Sequence, residues 1–169
     1  MNRLMKKGCL CAAAAVTLCA ALPANAAMGC WNDTQVAAAK MRDLQSRLMV
    51  ASLRCGAMGV DVTAAYNRFV VANRRTIQDA NGMILAQFRA GYGGQAQLHY
   101  DRFTTAMANA YGGDATDRTV CAETAAVAEE ATAAAGDIGR LLVISDRFGF
   151  ESALPGGRCG VTFAAASAD

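Results

Sequence analysis

The chain has 169 residues, 54% of them apolar, with 16 basic and 14 acidic side chains. That is one domain's worth of sequence, and its near-neutral charge gives no footprint for nucleic acid. A single histidine among seven cysteines excludes a histidine-rich metal site or a double-histidine relay and turns attention to the thiols.

Arg3, Lys6 and Lys7 form a cationic start, Gly8 to Leu22 is uncharged and apolar, and Ala24-Asn25-Ala26 offers small residues where a signal peptidase reads them. Residues 1–26 are therefore expected to be a signal peptide cleaved before Ala27. The uncharged run of about 15 residues is shorter than the roughly 20 a membrane span needs. Cys19 follows Thr17-Leu18, the wrong context for a lipid-anchored cysteine. Cleavage leaves 143 residues, 13 basic and 14 acidic, with a formal charge of −1. No later stretch is long and apolar enough to span a membrane, and no repeat of 20–50 residues appears.

Asn32 followed by Gln35 reads as a capping box. Ala37, Met41, Leu44, Leu48, Ala51 and Cys55 then recur at helical spacing, with Arg42, Asp43 and Arg47 expected on other faces. Gly56 and Gly59 end this helix. Asp61 or Thr63 can cap a second helical segment that runs to about Arg89, either bent or in two collinear pieces because Asn73, Asn81 and Gly82 weaken it. After Gly91, Gly93 and Gly94, a third helix is expected from Gln95 to Tyr111, with Leu98, Phe103, Met107 and Ala110 inward. Thr116 or Asp114 would cap a fourth carrying Val120, Cys121, Thr124, Val127 and Ala131. Gly136 and Gly139 interrupt before Leu141 to Phe148 add a last apolar turn or two. No strand-period alternation is present. The expected fold is all-α, an antiparallel bundle of four or five helices over residues 27–150, with an irregular tail, 151–169, tethered by Cys159.

Cys30, Cys55, Cys121 and Cys159 allow three complete pairings. A continuous helix between Cys30 and Cys55 keeps them about 30 Å apart, against the roughly 7 Å a disulfide tolerates, which removes one pairing. In an up-down bundle Cys55 and Cys121 meet at the top. A last helical stretch continuing downward would return Cys159 to Cys30, giving Cys55–Cys121 and Cys30–Cys159. Four thiolates could instead hold zinc, but structural zinc motifs place ligands in close pairs, and 24 to 65 residues intervene between these. The sequence calls for no metal and no cofactor.

His99, Asp101 and Arg102 lie near the start of the third helix and are the candidate catalytic residues for a small envelope hydrolase or ligand-processing enzyme. A histidine at such a position beside charged residues is more often solvated. Glu129 and Glu130 are adjacent and splay about 100° apart, unlike a catalytic carboxylate pair. No serine sits in a nucleophile elbow, and neither Gly91-Tyr92-Gly93-Gly94 nor Gly156-Gly157-Arg158-Cys159-Gly160 is a phosphate loop, since no Lys-Ser or Lys-Thr follows. The aromatic residues from Tyr66 to Tyr111 read as core stripes.

Cys30-Trp31, the run Arg42 to Ala51 before Cys55, Tyr66-Asn67-Arg68-Phe69, and Tyr100 to Asn109 before Cys121 together resemble a group of small exported four-cysteine helical proteins of Gram-negative bacteria with no established activity. Some of that group carry the label S-adenosyl-L-homocysteine hydrolase. The label implies a much longer two-domain, NAD-dependent protein with a glycine fingerprint that this chain lacks, so the resemblance transfers no catalytic residue. The expectation is an exported, periplasmic or secreted, non-enzymatic helical domain that binds an envelope protein or a small ligand through a groove or helix face. The enzyme centred on His99 is the alternative.

Overall fold

The computed structural model describes residues 28–150 and 152–160. The expected signal peptide with its cleavage site, and the end of the tail from 161 to 169, lie outside the described residues. Among the described residues there are six α-helices: α1 (Asp33–Ala57), α2 (Thr63–Ala72), α3 (Arg74–Tyr92), α4 (Ala96–Ala110), α5 (Arg118–Ala133) and α6 (Ile138–Asp146), with a 3-10 turn at Gly93–Gln95. Because α2 and α3 are consecutive pieces separated only by Asn73, the bundle has five members.

The capping box forms in full: the Asn32 side chain accepts from the Gln35 amide, and Gln35 accepts from the Asn32 amide. From there α1 runs for 25 residues, about 36 Å at 1.5 Å per residue. Its buried stripe of Met41, Leu44 and Leu48 makes it the central strut. The Asp61 carboxylate accepts from the Thr63 amide and starts α2. At the far end of α3, Gln35 Nε2 donates to Gln87 Oε1 at 2.7 Å, so α3 lies antiparallel to α1. Next, α4 rises and brings Tyr111, just past its end, to Arg54, which donates to the Tyr111 carbonyl at 2.9 Å. Asp117, rather than Thr116 or Asp114, caps α5 by accepting from the Val120 amide. The descent of α5 runs alongside α2, with which it shares the Arg68–Glu129 ion pair.

The last helix departs from the expected course. Ser145 Oγ donates to the Lys40 carbonyl and Arg47 donates to the Phe148 carbonyl, so α6 climbs along α1 instead of continuing downward. The descent is made by an extended strap after Phe148. Two hydrogen bonds, Trp31 amide to Gly157 carbonyl and Cys159 amide to Trp31 carbonyl, form one parallel bridge between the two termini of the described chain. Gly156 has φ +83°, and a Cβ there would lie 2.5 Å from the Met28 carbonyl oxygen, so the strap needs glycine to pass this close.

Both expected disulfides are present, Cys30–Cys159 and Cys55–Cys121. The main core centres on Trp31, Phe88 and Phe103, whose ring centroids lie 5.5 to 6.0 Å apart. Each such pair adds about 0.5–1.5 kcal/mol beyond area burial. Three inward or outward expectations fail: Leu98 is exposed at 48%, Asp43 is buried at 1%, and Ala110 is exposed. Among the described residues no helix is long and apolar enough to cross a membrane.

Candidate functional site

His99 lies one turn into α4, where its imidazole stacks flat on Tyr92, centroids 3.6 Å apart and planes 5° off parallel. Asp101 is exposed and accepts from Gln97 Nε2 at 2.8 Å, a one-turn contact along the same helix. Arg102 is exposed. His99 is half-buried while Asp101 and Arg102 face solvent, and none of the three lines the cleft described next. Among the described residues, no three His, Cys, Asp or Glu side chains cluster as metal ligands do.

A ligand-sized cleft of about 540 Å³ lies elsewhere, between α1, α3 and α6. Helical periodicity explains its walls. Thr76, Ala80 and Met83 line it at one-turn intervals of α3, and Ile138 and Leu142 do the same from α6. On α1 the facing residues are Ala37 and Ala38, whose short side chains leave space where a leucine would close the gap. Met83 and Ile138 are 40% and 41% exposed, so apolar surface is open to solvent at the mouth. Asp33 and Asp79 stand at the rim.

The α6 wall is fixed by Asn73, a residue that sequence alone casts as a helix-weakening fault. It is fully buried. Its Nδ2 donates to the carbonyls of Ala131 at 2.8 Å and Phe69 at 3.1 Å, and its Oδ1 accepts from the Gly136 amide at 2.8 Å. Thr76 Oγ1 adds a bond to the Gly136 carbonyl. Gly136 turns the chain from α5 into α6 with φ +83°, and Asp137 then caps α6 by accepting from the Arg140 amide. One amide thus satisfies backbone groups in α2, in α5 and in the turn that follows α5.

A second polar group is internal. The Tyr111 hydroxyl donates to Asp43 Oδ1 at 2.6 Å, and Ser152 Oγ donates to the same oxygen at 3.1 Å. The Arg47 guanidinium lies 4.3 Å from the centroid of the Tyr111 ring. Burial, followed by the hydrogen bond to Asp43, pushes the Tyr111 phenol well above its ordinary range, so it remains a protonated donor. This cluster ties α1, the end of α4 and the strap together.

Periodicity placed Ala37 on an apolar helix face but could not find the space beside it, because that depends on how α6 reverses. No family model, no curated protein and no solved structure matches this chain.

Proposed function

We propose that this protein is an exported, non-enzymatic binding domain of the periplasm or extracellular space, and that its ligand seat is the cleft between α1, α3 and α6. The single observation that carries this reading is the cleft itself. Its volume falls within the roughly 300–1,000 Å³ of small-molecule sites, its floor is alanine and aliphatic side chains, and one wall is pinned by Asn73. Export is supported by the amino-terminal pattern and by two disulfides, a bond type that persists in oxidising compartments. Membership in the small four-cysteine exported group is part of the same proposal and rests on the segments quoted above.

The hydrolase alternative requires His99 to meet partners around a bound substrate. The imidazole is instead half-buried in its stack on Tyr92, and Asp101 is engaged by a one-turn contact along its own helix. Fragment screening by amide chemical shift, on protein beginning at Ala27, tests the two together. The binding reading expects shifts at Ala37, Ala80 and Ile138. Shifts confined to His99 and its neighbours, with a turnover that His99→Ala abolishes, would replace it with the enzyme.

A further inference from the structure

We infer that the cleft between α1, α3 and α6 accepts a cationic amphiphile, a small molecule with an alkyl or aryl body and an ammonium head. This deepens the binding reading above and rests on it. The body follows from the floor: Ala37, Ala80, Met83, Ile138 and Leu142 offer only carbon and sulfur to an occupant.

The head follows from charge. Asp33 and Asp79 are the charged side chains that line the cleft, and no Lys or Arg is among the lining residues. The ion pairs among the described residues join Lys40 to Asp146, Arg68 to Glu129 and Arg147 to Glu130, so neither rim carboxylate is consumed by one. Lys40, the cation on the α1 side nearest α6, is occupied by Asp146. An anion would ordinarily be drawn to helix amino-termini, and two of them, those of α1 and α6, border this cleft. Both are already capped from within, by Asn32 on the Gln35 amide and by Asp137 on the Arg140 amide. Asp33 and Asp137 add negative charge where an anion would otherwise gain from the helix dipole. A carboxylate ligand would therefore meet like charge at the rim. An ammonium, with three N–H donors and no acceptor, meets two carboxylates and the Thr34 hydroxyl.

The test uses three probes of one chain length, n-octylammonium chloride, sodium octanoate and n-octanol, titrated into oxidised protein beginning at Ala27 and followed by amide chemical shifts. Octylammonium is expected to shift Ala37, Ala80 and Ile138 at millimolar concentration or below, and more tightly than octanol, with octanoate weakest. Asp79→Asn should weaken octylammonium about threefold, as expected for one exposed charge contact, and leave octanol unchanged. Asp79→Lys, at an exposed position, should reverse the order of octylammonium and octanoate. Equal binding of all three probes in the cleft would overturn the charge inference while leaving the binding seat standing. Shifts elsewhere on the surface, or none, would overturn both.

Discussion

At one end of the bundle Cys55 and Cys121 are fully buried, packed with Val62 in a small apolar cluster of their own. At the other end Cys30 and Cys159 are exposed, and what they hold is an irregular strap lying across Trp31. Loop entropy alone ranks the exposed bridge slightly higher, because its sequence separation is 129 against 66, a difference of about 0.6 kcal/mol. The surroundings argue the reverse. The buried bridge joins two helices that cannot part without opening the core, whereas the exposed one joins a segment that can lift away while the helices stay folded. A disulfide's worth is set by what must move when it breaks.

The largest effect is expected from replacing Cys55 and Cys121 together with alanine. Denaturant unfolding should show a loss of about 4 kcal/mol, with the amides of α1's last turn losing protection. Asn73→Ala comes next, at about 3 kcal/mol, because it leaves buried carbonyls and the Gly136 amide without partners. Hydrogen exchange at Gly136 should accelerate while the bridges at both ends remain oxidised. Such a loss placed between the ends would show that the cleft wall depends on the amide clamp and not on either staple. Replacing Cys30 and Cys159 with alanine should cost about 2 kcal/mol, near the lower limit for a disulfide. Its signature would be a red shift of Trp31 fluorescence with unchanged helical circular dichroism, since Trp31 is 1% exposed beneath the strap. If this pair proved costlier than the buried one, chain entropy and not environment would govern the comparison.

The smallest effect, about 1 kcal/mol, is expected for Tyr111→Phe, which removes a donor to Asp43. The sign of its pH dependence follows from the raised phenol. In the unfolded chain Tyr111 ionises at its ordinary value of about 10, while the folded site holds its proton to higher pH. Its contribution is therefore complete below the unfolded value and is lost as pH rises through the folded one. Wild type should lose stability in alkali more steeply than Tyr111→Phe, as read from urea midpoints taken across that range.

How legible these features were follows the same division. The first helix was plain because its signals are local: Asn32 and Gln35 are three residues apart, and the Met41–Leu44–Leu48 stripe repeats on a fixed period. Helix length and alternation of direction gave the Cys55–Cys121 bridge, whereas Cys30–Cys159 was paired by way of a descending last helix and is reached instead by the strap after a climbing α6. Asp43 was misplaced because its partners, Tyr111 and Ser152, are 68 and 109 residues away, and no periodicity reports a distant hydroxyl. Asn73 was read as a weakness for the same reason, since its compensating bonds reach 58 and 63 residues ahead. The capping residue of α5 was missed by one position from Thr116 because Asp114, Thr116 and Asp117 all have capping chemistry and only the chain's arrival decides among them. The cleft was illegible altogether, because a gap between three helices is set by α6 climbing beside α1, a direction no residue in α6 encodes by itself.

Two disulfides close the described helical bundle at both ends, and the proposed export places them in an oxidising compartment. Intact-mass and non-reduced peptide mapping of protein recovered from its native exported fraction tests that claim most directly. The account predicts a chain beginning at Ala27 with no free thiol and crosslinked peptides joining Cys30 to Cys159 and Cys55 to Cys121. Four free thiols in that material, or a peptide joining Cys30 to Cys55, would contradict it.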